Sequence, residues 1–524
     1  MFDTIVSDIS NQFINSVLFV DEQAFPSSET KDSPDKQKVL DAGAVSRAFS
    51  EAGKICGFYA PRTPDDIEKC KKLVLKSDIV VLDWDIRINV TFSQEEESQD
   101  DETDDRGVYS LDLLKTIVED AGNEKLKIVF IYTGEPDING IIDDIAKALG
   151  EPFKKKEDNF EVYSDNIHIL VRLKPDAKTT LTGFDAFKVE YKDLPQVLIN
   201  QFSKYVNGLM PCFAMNSLAA IRDSSARVLK VYNGELDAEL LGHQLALSNP
   251  DDAKSYLANS FGSAVSELIM NTPEINTDNW IEEWVDSRFP LQAKKVDIGG
   301  VSVTPTTESI KSFFSNRNAS GTLTDRLNAA FSIKSKSSQQ DTIKKKLSIL
   351  FHKEGEDIER AKYNFAALAH HKNLFSNYSS TPKLTQGTII KNRDEYYLCI
   401  QQRCDTARVN LSGLDFIFVP LSKNKEKHSL AAIAIAPNDL RYVNRSSTNS
   451  KMIHFSPEKE KSPVEAKMVD GKYIFKNADG EYEWVNELKE LIAQRIVTEI
   501  ASHYARVGVD EAEWLRLEAK DKDN

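Results

Sequence analysis

Five short runs of branched and aromatic apolar residues recur through the first third of the chain: SVLFV (16–20), KICGFYA (54–60), DIVVLD (78–83), KIVFIYT (127–133) and IHILVRL (167–173). Between them lie DAGAVSRAFSEAG, DDIEKCKKLVLKS, SLDLLKTIVEDAG and GIIDDIAKALG, whose apolar residues fall three and four apart as on one face of a helix. Strands that are apolar on both faces and alternate with helices specify a parallel sheet covered on each side. The expected fold class is therefore α/β, a doubly wound five-stranded parallel sheet over residues 1–180. A polar acidic run, QEEESQDDETDD (94–105), interrupts the pattern after the third strand and reads as a solvated insertion.

From 181 to 330 the pattern turns helical. LPQVLINQFSKYVNGL, MNSLAAIRDSSARVLKVYNG and DDAKSYLANSFGSAVSELIMN carry apolar stripes that are expected to bury against one another. A linker and helix follow over 331–380, where the basic stretch FSIKSKSSQQDTIKKKLS lacks the interleaved aromatics of a nucleic-acid surface. Residues 381–524 read as a β-rich module with strands in GTIIK, EYYLCIQQ, DFIFVPL, SLAAIAIA and GKYIFKNADGEYEWV, where ADG suits a hairpin. An amphipathic helix with Leu488, Leu491, Ile492, Ile496, Ile500 and Tyr504 on its apolar face ends the chain.

Composition narrows the function classes. The 524 residues carry a formal net charge of −16, which disfavours nucleic acid and anionic membranes as partners. The five cysteines, Cys56, Cys70, Cys212, Cys399 and Cys404, show no framework spacing and fit a reducing compartment. There is no secretory leader and no apolar run of membrane-spanning length, so a cytoplasmic location is expected.

The polar residues at the strand ends carry the chemistry. In a doubly wound sheet, ligands bind beyond the carboxyl ends of the strands, where strand order reverses. Here those ends deliver Asp21 and Glu22 (VLFVDEQ), Asp83 and Asp85 (VVLDWDI), Thr133 with Gly134 (IYTGEP), and Lys174 with Pro175 (VRLKP). Singly, each is an ordinary turn or cap residue. Together they place acids, a hydroxyl and a cation on one rim. Carboxylates in contact raise one another's proton affinity, and a hard divalent cation such as Mg²⁺ resolves that conflict. Asp83 is then placed as a nucleophile toward phosphorus, with Lys174 and Thr133 as partners for the phosphoryl oxygens. Gly134 leaves room and offers an N–H.

This order of motifs resembles the receiver domain of bacterial response regulators, over residues about 14 to 178. The resemblance implies a flavodoxin-like receiver fold and phosphorylation of Asp83 by a partner histidine kinase. It also implies Mg²⁺ held by Asp21 or Glu22, Asp83 and the main-chain carbonyl of Asp85. The gaps between the motifs are longer than in a compact receiver, and FEVYSDN offers an extra strand before the last. Three residues before Lys174, where many receivers carry a switching aromatic, stands Val171.

Elsewhere the signals are thin. There is no P-loop and no helix-turn-helix pattern. DIGGVSVTP (297–305) reads as a turn. Cys399 and Cys404 make at most half a zinc site, and His370 and His371 read as packing or surface residues. An acidic chain with a variant receiver resembles the buffer protein of a Detocs-type anti-phage two-component system. That resemblance implies an effector protein of the same system as a second partner and leaves a homodimer open. No enzymatic activity is expected beyond phosphorylation and dephosphorylation of the receiver. Two rival readings use the same residues: a receiver-triggered effector enzyme with its active site in 181–524, and a degenerate receiver that only docks.

Overall fold

The computed structural model describes residues 2–25, 40–88, 106–122, 125–177, 184–247 and 251–288 and, with short interruptions, 295–504. These form two compact units, residues 1–239 with 256–340, and residues 240–255 with 341–524.

The first unit is built on a seven-stranded sheet. Its elements run α1 (Phe2–Phe13), β1 (Ser16–Val20), α2 (Ala42–Glu51), β2 (Ile55–Tyr59), α3 (Pro64–Val74), β3 (Ile79–Leu82), α4 (Val108–Ala121), β4 (Lys127–Thr133), α5 (Ile138–Leu149), β5 (Lys154–Lys156), β6 (Glu161–Tyr163) and β7 (Ile167–Leu173). The strand order is β2-β1-β3-β4-β7-β6-β5. The five expected strands are the parallel ones, and β5 and β6 extend the sheet by antiparallel pairing. β6 lies within FEVYSDN. The acidic run 94–105 lies outside the described residues.

Alternation along each strand separates two cores. Val17, Phe19, Ile79, Val81, Ile128, Phe130 and Tyr132 point to one face, and Leu18, Val20, Val80, Leu82, Val129 and Ile131 to the other. The second face is covered by α3, α4 and α5 through Ile67, Val74, Leu113, Ile117, Ile141 and Ile145. On the first face lie α1 and α2, joined by α6 (Leu194–Tyr205) and α7 (Leu209–Asp223). The helical stripes thus behave differently from the expectation of mutual burial. Leu194, Leu198, Ile199 and Phe202 of α6 join the core over the sheet, whereas the helix Ser225–Val231 buries no side chain. α1 is a further covering element, with Phe2, Val6 and Ile9 inward.

Helix starts follow local chemistry. Asp41 and Asp137 accept backbone N–H bonds from Ala44 and Gly140 at the first turns of α2 and α5. Thr63 and Asp66 cap α3 reciprocally.

The second unit carries a seven-stranded antiparallel sheet. The ADG hairpin pairs Asn477 with Gly480 across a two-residue loop. In the terminal helix, Glu490–Tyr504, Ile496 and Ile500 face the core. Leu491 does not join that face: in the helix's first turn it is 83% exposed. Strands Val296–Asp297 and Ser302–Val303 pair around the glycines of DIGGVSVTP, which themselves lie outside the described residues. All five cysteines are free, with Cys399 buried and Cys404 exposed.

Candidate functional site at the carboxyl rim of the sheet

The chain runs from β1 out to β2 and returns past β1 to β3, so strand order reverses between β1 and β3. That reversal opens the crevice in which such sheets hold their ligands. Register places each polar residue there. Val20 pairs with Leu82, so Asp21 and Asp83 leave adjacent strands side by side, and the Asp83 N–H donates to Val20 O at 2.9 Å. Thr133 pairs with Leu173, and the next amide, Lys174, donates to Thr133 O at 2.8 Å. The four segments converge.

Lys174 is wholly buried, and its Nζ donates to Asp21 Oδ2 and to Asp83 Oδ2, both at 2.7 Å. Two ion pairs from one ammonium leave the pocket with an excess of negative charge. Ligand oxygens of Asp21, Glu22 and Asp83 lie within 4.8 Å of one another. Asp83 Oδ1 and Glu22 Oε2 are buried without a hydrogen-bond partner among the described residues. An unpaired buried carboxylate oxygen is costly, and a cluster of three carboxylates that includes two such oxygens could hold a cation.

Proton affinities follow from this crowding. Burial, with the added charge of Asp83, holds the Asp21 carboxyl up at about 6 against the pull of Lys174. Burial and the charges of Asp83 and Asp21 hold Glu22 at about 8. Burial alone lowers the proton affinity of an ammonium, yet at Lys174 the charges of Asp83 and Asp21 outweigh it and raise it. The donors are all hard oxygens, the set that suits Mg²⁺.

The other expected residues lie at the same mouth. Buried Thr133 accepts from the Glu135 N–H through Oγ1 at 3.1 Å, which leaves its hydroxyl proton to be donated. Asp85 is buried, and its carboxylate accepts from Arg87 at 2.7 and 3.0 Å. Val171, at the position of the switching aromatic, is buried in β7.

Two supporting residues escaped the sequence reading. Ser110, in the first turn of α4, donates to Asp83 O at 2.6 Å and reaches Trp84 O at 3.0 Å, so it pins the loop that carries Asp83. Gly107, with φ +81°, lets the chain pass the Trp84 ring, where an added Cβ would meet Cζ2 at 2.3 Å. Neither has a sequence signature, because one partner is backbone and the other is a distant ring.

His371 is 1% exposed and hydrogen-bonds Asn486 through Nδ1 at 2.9 Å, a packing position. Among the described residues, no helix is long and apolar enough to cross a membrane.

The family model described as "Response receiver domain" matches residues 13–179. No curated protein and no solved structure matches the chain significantly. Receiver domains in general accept a phosphoryl group from a histidine kinase and bind Mg²⁺, and the cluster of Asp21, Glu22 and Asp83 could hold a metal ion. The N-terminal third of this chain, residues 13–179, belongs to the response receiver domain family, the phosphoacceptor module of response regulators.

Proposed function

We propose that the protein is a response regulator whose phosphoacceptor is Asp83, with phosphate supplied by a partner histidine kinase and Mg²⁺ held by Asp21, Glu22, Asp83 and the main-chain carbonyl of Asp85. The observation that carries this reading is the pair of orphaned buried oxygens, Asp83 Oδ1 and Glu22 Oε2, beside an ammonium that already bridges Asp21 and Asp83.

In the transfer, a carboxylate oxygen of Asp83 bonds to phosphorus while the P–N bond of the donor phosphohistidine breaks. The leaving imidazole keeps the electron pair. The chain's own residues act by position and charge, as phosphoryl transfer requires. Lys174 is within reach of an oxygen on Asp83 and supplies a fixed positive charge without a desolvation step, since it is already dry. Thr133 has a hydroxyl proton to donate. Ser110 holds the Asp83 backbone still. Mg²⁺, when bound, neutralises charge that builds on the phosphoryl oxygens.

Downstream of phosphorylation, we read the protein as a regulatory or phosphate-buffering component of an anti-phage phosphorelay, with an effector protein as a further partner. The acidic chain and the lack of a recognisable DNA-binding or nucleotide-binding motif support it. The division into residues 1–180, 181–330, 331–380 and 381–524 belongs to the same proposal.

The test is acetyl phosphate with Mg²⁺ on the full chain, followed by phosphate-affinity electrophoresis. Wild type should shift and D83N should not. A shift that survives D83N, or no shift at all, contradicts the assignment. In cells, toxicity with loss of a defined metabolite would favour the effector-enzyme reading over the buffer.

A further inference from the structure

Away from the rim, the helices of the first unit enclose a cavity of about 800 Å³. One wall is a single face of α7 and of the helix Ser225–Val231, carrying Asn216, Ala219, Asp223, Arg227 and Val231 at spacings of three and four. The facing wall is the end of the helix Asp251–Met270 with the loop after it, through Ala264, Glu267, Leu268 and Asn271. Gln12, near the end of α1, adds to the lining.

The walls are fastened to each other. Where the first begins, the Asn216 side chain donates to Glu274 O at 3.2 Å. Where it ends, the hydroxyls of Tyr232 and Ser260 share a hydrogen bond at 3.1 Å, and the Tyr232 ring meets Phe261 edge to face at 5.5 Å. Arg222, beside Asp223, donates to the carbonyl oxygens of Gln12 and Phe13 at 2.7 and 2.8 Å and so ties this wall to α1. The space is therefore built into the fold, and its volume is that of a small-molecule site, roughly 300–1,000 Å³. A trough bridged at both ends suits a compact molecule better than a peptide helix running through it.

The lining selects the chemistry. Asn216 is 4% exposed, and its bond to Glu274 leaves the carboxamide oxygen and second N–H uncommitted among the described residues. A buried amide with spare capacity on a cavity wall is placed to meet a polar group of a ligand. Ala219, Val228 and Leu268 supply apolar surface. Three carboxylates, Asp223, Glu267 and Glu274, line the space against one guanidinium, Arg227, and Asp223 already faces Arg222 at 3.6 Å. That balance repels phosphates and carboxylates and attracts a cation. We propose that this cavity binds a protonated organic amine with an apolar body, the body between the helices and the ammonium toward Glu267 and Glu274. The site does not depend on Asp83. Because its walls also hold α1, which covers the receiver sheet, the amine gives the chain a chemical input separate from phosphorylation.

The test uses the full chain and dansylcadaverine, a primary amine on a naphthalene body, followed by fluorescence anisotropy. Its N-acetyl form, which lacks the charge, should bind about fivefold more weakly. E267Q and E274Q, at exposed positions, should each weaken the amine about two- to fivefold and leave the melting temperature unchanged. A264W puts an indole into the gap and should abolish binding, and saturating amine should slow hydrogen exchange in α1 and α7 of the wild type. No binding by the wild type overturns the inference, as does equal binding of the amine and its acetylated form. Wild-type affinity in both glutamine variants, or in A264W, overturns it too. Displacement of the probe by a basic amphipathic peptide that binds more tightly than the amine would assign the trough to a protein partner instead.

Discussion

Replacing Lys174 by methionine keeps side-chain length and removes the ammonium that holds Asp21 and Asp83. Both ion pairs are 2.7 Å long and the lysine is wholly buried, so its loss leaves carboxylates facing each other in a dry pocket. Breaking a buried pair of this kind costs about 3–5 kcal/mol. The signs of the remaining groups set the pH window. Lys174 is raised above its ordinary 10.5, so its contribution is complete throughout neutral pH and is lost only under alkaline conditions. Asp21 and Glu22 are raised from 3.8 and 4.5 to about 6 and about 8, so the stability tied to their protonation is present in acid and lost as pH rises through those values. In K174M Asp21 can escape repulsion by taking up a proton, which is cheap at pH 5 and costlier at pH 8, whereas Glu22, already held at about 8, changes less over that range. Hydrogen exchange of peptides covering β1 and β3 in the full chain reads the unit directly, whatever the second unit does. Protection should fall by about two to four orders of magnitude at pH 8, by much less at pH 5, and should be partly restored by Mg²⁺. Wild-type protection in K174M at pH 8, or an equal loss at both pH values, would refute the reasoning.

Other outcomes follow from the same geometry. Mg²⁺ held as proposed would displace protons from Asp21 and Glu22, so its affinity in calorimetric titrations should rise from pH 6 to pH 8, by up to about tenfold per proton released per pH unit; E22Q should flatten the upper part of that rise. G107A forces a Cβ to 2.3 Å from Trp84 at φ +81° and should destabilise the first unit by roughly 2–4 kcal/mol, seen as lost protection in β3 and α4. A fragment ending at residue 180 lacks Leu194, Leu198, Ile199 and Phe202, each buried over the sheet; at about 1.5–3 kcal/mol per side chain as an upper estimate, it should bind a hydrophobic dye and exchange rapidly, unlike a fragment extended through Asp223.

The rim was legible because three kinds of information coincided. Apolar runs located the parallel strands to within a residue or two, the end of each run named the residue at the rim, and parallel pairing put those ends on one edge. Asp21, Asp83, Thr133 and Lys174 needed nothing more. What stayed hidden depends on distance in sequence. Ser110 bonds main-chain carbonyls, which any sequence provides, and Gly107 has meaning only beside Trp84. The stripe of α6 was visible, yet an apolar stripe says that a helix is covered and not by what; it packs over the sheet. Phe2, Val6 and Ile9 of α1 have helical spacing, but nothing in a segment ahead of the first strand says which face of the sheet it covers. Leu491 shows the opposite error: spacing assigned it to the buried face, but it sits at the start of the helix, where the side chain clears the core.

The account rests on Asp83 as the residue that takes the phosphoryl group. Borohydride reduction of the phosphorylated full chain converts an aspartyl phosphate to homoserine, and peptide mass spectrometry locates the change. The account predicts homoserine at position 83, formed only with Mg²⁺ and a phosphodonor present. Homoserine at Asp21, Asp85 or any other aspartate, or an unmodified Asp83 in a protein that carries phosphate, contradicts it.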